Sequence, residues 1–122
     1  MEKLNTIQKR NNLNDVYADG EIGNGGAYHE YKICYEPNQD GYVRAHAISF
    51  QNGPRKINGS TNGVLDCDLL EIVRHRLSCF QKGEFATREN AIALTHIEEA
   101  LLWMNKRVED RAERGVLGTH AK

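Results

Sequence analysis

Arg107, Arg111 and Arg114 recur at steps of four and three in the stretch KRVEDRAERGVLGTH, which runs from Lys106 to His120. On a helix that spacing stacks the three side chains along one side of a cylinder. Like charges so placed repel by roughly a few tenths of a kcal/mol per pair. The stripe is therefore either a solvated ladder, with Asp110 in reach of Arg107 and of Arg114, or half of an anion site. Two guanidiniums one turn apart, each a planar fork with parallel N–H groups, match the two phosphates of a diphosphate. Spacing alone leaves both readings open.

The remaining reactive residues form no constellation. GEIGNGG is glycine-rich, but the residues after it alternate as in a strand, whereas a phosphate loop must open a helix whose amides face the anion. His75 and Cys79 are four apart, a spacing two metal ligands can use, yet no second pair of donors accompanies them, so no metal site is predicted. His29, His46, His96 and His120 are scattered. There is no nucleophile elbow and no compact carboxylate cluster, so neither a catalytic residue nor a cofactor is predicted. A net charge of -1 with 27% charged residues argues against a general DNA or RNA binder, which needs a basic excess. Cys34, Cys67 and Cys79 are odd in number and show no paired spacing, as expected of reduced thiols. No signal-peptide core and no long apolar run occurs, which predicts a soluble intracellular protein without membrane contact.

The elements that must carry the arginines follow from periodicity. The 122 residues suffice for one ordinary domain, or for a small sheet and a helical extension. The first dozen residues are polar and read as a loose arm or a short helical turn. A short strand near Val16 is expected, then glycines. In AYHEYKICYE, Tyr31, Ile33 and Tyr35 share one face, and in YVRAHAISF Val43, Ala45 and Ala47 stand opposite Arg44 and His46. These two runs read as an antiparallel hairpin closed through Asp40 and Gly41, the sheet ending near Phe50. QNGPRKINGSTNG is a joint with room for one short strand around Lys56 and Ile57. Asp66 or Asp68 can cap a first helix with Leu69, Val73, Leu77 and Phe80 on one stripe, and Gly83 offers a left-handed stop. Thr87 can cap a second helix that continues to Arg114, with Gly115 ending it. Along it Leu94, Ile97, Leu101, Met104 and Val108 form a heptad seam whose ends reach Asn90 and Arg111. The shorter helix cannot cover so long a partner, so the flank with Trp103 predicts a homo-oligomer. The expected fold is α+β, with a small antiparallel sheet in residues 1–64 and a long antiparallel helical hairpin with a short tail in residues 65–122.

TRENAIALTHIEEALLWMNKRVEDRAERGVLGTH, from Thr87 to His120, closely resembles the helical hairpin shared by two families of phage anti-defence sponges, the anti-CBASS cyclic-nucleotide sponge and the Thoeris anti-defence sponge. With a sheet preceding the hairpin, the whole chain resembles the first-described Thoeris anti-defence family. The resemblance implies a cytoplasmic protein of the infected bacterium that sequesters a TIR-generated cyclic ADP-ribose isomer, glycocyclic ADP-ribose, without cleaving it. It also implies ligand contacts at Phe80, Asn90, Arg107 and Arg111. Chemically, an adenine wants an aromatic plane, a ribose or base edge wants an amide, and a diphosphate wants arginines. A second site for cyclic di- or trinucleotides is implied at Arg114, Gly115 and Thr119, in a homodimer or a hexamer. Asn90 and Arg107 stand roughly 25 Å apart at helical rise, beyond one such ligand, so the pocket is expected to need two copies. Two other readings stay open: a phosphodiesterase or nucleosidase acting on the same signal, and a module that binds a helical partner through the heptad seam.

Overall fold

A computed structural model describes residues 1–8, 14–37 and 43–122. The chain divides into two compact units, Met1–Val64 and Leu65–Lys122. The first is a four-stranded antiparallel sheet in sequence order, β1 (Glu2–Lys3), β2 (Asp15–Asp19), β3 (Glu30–Pro37) and β4 (Val43–Ser49). The second is a pair of helices, α1 (Asp66–Gln81) and α2 (Arg88–Glu113), followed by a short tail.

Strand register sorts the sheet's faces. Val16 stands opposite Ile33, Ala18 opposite Tyr31, Ile33 opposite His46 and Tyr31 opposite Ile48. Directly paired residues of antiparallel strands share a face. One face therefore gathers Val16, Ala18, Tyr31, Ile33 and Ile48, and Ala18 is the one buried hydrophobic residue among those described. The Tyr31 and Phe50 rings meet edge to face at 5.5 Å between centroids. Tyr31 and Ile33 share a face as expected. Ala45 and Ala47 do not join them: the register sets both opposite Cys34 and Lys32, on the other face, where they are exposed. Apolar alternation within β4 alone could not tell which face its neighbour would use.

Two expectations about this unit are corrected. Glu2 and Lys3 are not a loose arm but a strand paired with Ala18 and Tyr17, secured by an ion pair from Lys3 to Asp15 and by the Leu4 amide donating to the Val16 carbonyl. No strand forms around Lys56 and Ile57; the joint is a run of turns pinned by an Asn52–Thr61 bridge and a Phe50–Val64 bridge. Its backbone is satisfied by side-chain amides, with Gln51 Nε2 donating to the Gly53 carbonyl and Gln51 Oε1 accepting from the Gly63 amide. That is the ordinary way an Asn- and Gly-dense loop pairs its polar groups without a ladder. The proposed closure of the hairpin at Asp40 and Gly41 lies outside the described residues.

In the second unit the helical periodicity holds. Leu69 and Leu77 of α1, and Leu94, Ile97 and Leu101 of α2, are partly covered, while Val73 of α1 stays 44% exposed and the outer part of the expected seam, Met104 and Val108, 36% and 42%. Neither aspartate is the N-cap of α1. Leu65 occupies that position, and Asp68, three residues on, reaches back with Oδ2 accepting from the Leu65 amide at 2.9 Å. Gly83 does not adopt a left-handed conformation; α1 ends at Lys82 through ordinary helical geometry, its amide donating to the Cys79 and Phe80 carbonyls. Thr87 caps α2 as expected, Oγ1 accepting from the Asn90 amide at 3.0 Å. Gly115 closes it with φ +72°.

Candidate functional site

The hairpin carries its candidate residues at two ends. Phe80 leaves the last turn of α1 and Asn90 enters the first turn of α2, so the bend brings both to one end. Gln81 fixes that bend. Its amide nitrogen donates to the Thr87 carbonyl and its amide oxygen accepts from the Thr87 N–H, both at 3.0 Å, forming a two-way clasp across the turn. Phe80 and Asn90 are half-buried. Over the Phe80 ring lies the Arg76 guanidinium, 5.3 Å from the centroid, making a stacked cation and aromatic plane at the mouth of the bend. Such a surface suits a purine, which can stack on either component.

A cross-helix ion pair sets how the helices align. Arg74 Nε donates to Glu98 at 2.9 Å, and its Nη1 lies 3.4 Å from Glu71. These two carboxylates raise the Arg74 pKa, the hydrogen bond that Arg74 donates to Glu98 most, so the guanidinium stays charged throughout. With 16 residues against 26, α1 runs out before α2 does. On the side of the Arg74–Glu98 pair away from the bend, about two turns of α1 remain and about four turns of α2. The last two turns of α2, with Arg107 and Arg111, therefore extend past the start of α1.

At that far end the three arginines separate in role. Arg107 is exposed and makes no ion pair among the described residues. Arg114 is held by Asp110, Nε to Oδ2 at 3.1 Å, the solvated ladder contact that spacing allowed. Arg111 is buried, 7% exposed, and is directed at the chain's own tail. Its Nη2 donates to the Val116 carbonyl at 3.0 Å and to the Thr119 carbonyl at 3.1 Å, and its Nη1 donates to the Ala121 carbonyl. Arg107 and Arg111 thus share an end of α2 but do not present a matched pair of open forks. Thr119 sits on the turn that Arg111 holds and Gly115 stands before it, where α2 ends, whereas Arg114 lies beside Asp110 on the helix surface. Gln81, Arg76 and the burial of Arg111 escaped the sequence reading. Gln81 has no pattern that marks it, and the fate of Arg111 depends on carbonyls supplied by a tail whose path no periodicity describes.

The paired His75 and Cys79 are 3.9 Å apart and exposed on α1. Among the described residues no group of three His, Cys, Asp or Glu side chains is gathered as a metal would require. The three cysteines are free thiols. Among the described residues no helix is long and apolar enough to cross a membrane.

The family described as "Acb2/Tad1, hairpin domain" matches residues 44–109, from the start of β4 nearly to the end of α2. The chain belongs to the Acb2/Tad1 hairpin-domain family. The matched span contains both residues of the bend, Phe80 and Asn90, and ends just past Arg107; the tail lies beyond it. The chain is also similar to "Thoeris anti-defense 1" of Bacillus phage SBSphiJ7, 52% identical over 75 residues. That alignment takes in 62% of this chain and 52% of the relative, so the chain spans about half the length of the curated relative it matches. The α+β architecture expected for an Acb2/Tad1 hairpin protein preceded by a sheet is the one observed.

Proposed function

We propose that this protein is a Thoeris anti-defence sponge: it captures a cyclic ADP-ribose isomer, glycocyclic ADP-ribose, without cleaving it, in the cytoplasm of an infected bacterium. The observation that carries the reading is the distribution of chemistry along one unbroken α2. A stacking surface and an amide stand at the bend, and at the far end, roughly 25 Å away at helical rise, stands the Arg107 guanidinium, without an ion pair among the described residues. A single ligand cannot span that length. Two hairpins packed antiparallel would set the bend of one, with Phe80 and Asn90, beside the Arg107 and Arg111 end of the other, giving two equivalent pockets by symmetry. The kinship with a phage protein named for Thoeris anti-defence supports the choice of signal.

A sponge acts in stoichiometric amounts, so tight binding with slow release serves it better than turnover. Nanomolar capture needs about 12 kcal/mol, within reach of a charge-assisted grip on a diphosphate and an enclosed base. The second candidate site, at Arg114, Gly115 and Thr119, is proposed for cyclic di- or trinucleotides; it stands at the far end of α2, next to Arg111.

The test is to mix the protein with glycocyclic ADP-ribose, remove free ligand, denature the protein by heat and examine what is released. Intact ligand returning in proportion to protein supports sequestration. A cleaved product identifies a phosphodiesterase or nucleosidase instead, and no uptake leaves a module that binds a helical partner.

A further inference from the structure

We propose that Arg76 is a ligand contact: from its place over the Phe80 ring its guanidinium pairs with the diphosphate of the nucleotide whose adenine stacks at the bend. The proposal rests on the sponge reading above and adds to it a cation from α1. The two arginines in the middle of that helix have different fates. Arg74 is held by Glu98 and Glu71. Arg76, two positions on, cannot be neutralised from its own helix, because the residues three and four positions away are Ile72, Val73, Cys79 and Phe80. No carboxylate elsewhere among the described residues pairs with it either. It is exposed, and its guanidinium carbon lies 5.3 Å from the centroid of the Phe80 ring.

That position follows from the helix itself. Long side chains on a helix lean toward its N-terminus, so the Phe80 ring comes back over the turn that carries Arg76, roughly 6 Å along the axis. The ring gives the cation a place and leaves its charge without an anion of the protein's own. A half-buried aromatic plane beside an unpaired cation is complementary to an adenine nucleotide, in which a flat base and an anionic phosphate are joined a few bonds apart. The diphosphate brings two negative charges. In a pocket made by two antiparallel hairpins, Arg107 approaches it from the second copy and Arg76 from the chain whose ring holds the base, so the anion sheds its water between opposite charges on both sides. Arginine suits this place better than lysine, since its planar fork stacks on an aromatic and binds two phosphate oxygens at once. An arginine and a phenylalanine four apart also steady an exposed helix turn without any ligand, a role that methionine at the same position can take over.

Calorimetric titration with glycocyclic ADP-ribose compares wild type, Arg76→Met and Arg76→Lys. Methionine keeps a long side chain that packs on the Phe80 ring but carries no charge, and lysine keeps the charge without the fork. Arg76→Met should bind at least about tenfold more weakly than wild type, with Arg76→Lys between the two. Melting temperatures without ligand should stay within about 4 °C of one another, because an exposed pair contributes little to stability. In wild type, the Nε–H resonance of Arg76, assigned by its absence from the Arg76→Lys spectrum, should move on saturation with the ligand, a readout that does not depend on the fold of any variant. Wild-type affinity in Arg76→Met overturns the proposal, since methionine replaces a side chain that only props the ring. So does an Arg76 resonance that stays in place at saturation. If wild type takes up no glycocyclic ADP-ribose, the sponge reading falls and the phosphate contact falls with it; capture by wild type with no deficit in Arg76→Met removes the contact alone.

Discussion

Arg107 and Gln81 are the residues whose removal separates binding from folding. Arg107 is exposed and makes no ion pair among the described residues, so Arg107→Ala should leave the melting temperature within error while weakening capture of glycocyclic ADP-ribose by about 1.5–3 kcal/mol, the worth of a charge-assisted hydrogen bond. Calorimetry beside a thermal melt checks both halves. Gln81→Ala acts in the opposite sense: it strips both hydrogen bonds of the bend, and about 1–2 kcal/mol of stability should go with them, read by urea unfolding. In the sheet, the Asp19 carboxyl is held below the ordinary carboxylate range by its bond from Lys32 first and by the Gly20 amide second. Folding therefore favours the ionised form, and its contribution is complete above the unfolded carboxylate value of about 3.9 and is lost as pH falls through the lower folded value. Melts of wild type and Asp19→Asn should differ near neutral pH and converge in acid.

Among the elements, the hairpin depends on a few contacts that act between helices. Arg74 and Glu98 join α1 to α2 with both side chains about half exposed, 46% and 44%. A double-mutant cycle with alanine at both positions should give a coupling below about 1 kcal/mol that shrinks as salt rises, because exposed pairs are screened. A larger coupling would mean that the pair is shielded in an assembly. The element types and their order were legible because periods of two and of about 3.6 residues are local properties of Tyr31, Ile33 and Tyr35 and of Leu94, Ile97 and Leu101. Thr87 was legible as a cap for the same reason: its hydroxyl meets an amide three residues on. Asp68 was misassigned by its chemistry, since an aspartate accepts from the helix start equally well at the cap or reaching back from the third position. The edge strand at Glu2 and Lys3 was not legible, because two polar residues carry no alternation and only pairing with Tyr17 and Ala18 makes them a strand.

At the scale of the whole molecule, the described residues expose apolar side chains that a lone chain does not cover. Leu102 is 70% and Trp103 69% exposed on α2, and Phe85 68% at the bend. Patches of this kind mark an interface. If two hairpins complete the pocket, Trp103→Glu should shift the protein to monomer in sedimentation velocity and abolish capture together, with helix content by circular dichroism retained; a monomer that still binds ligand would separate assembly from the site. What the residues determined by themselves is the series of elements, the ends of α2 where chemistry gathers and the kinship those ends display, all encoded in neighbours a few positions apart. Which arginine stands free and which is spent was decided only in three dimensions. Arg107, Arg111 and Arg114 are equivalent in spacing, and it takes a chain turned back through Gly115 and Gly118 to bring three carbonyls onto one guanidinium and leave another open to an anion.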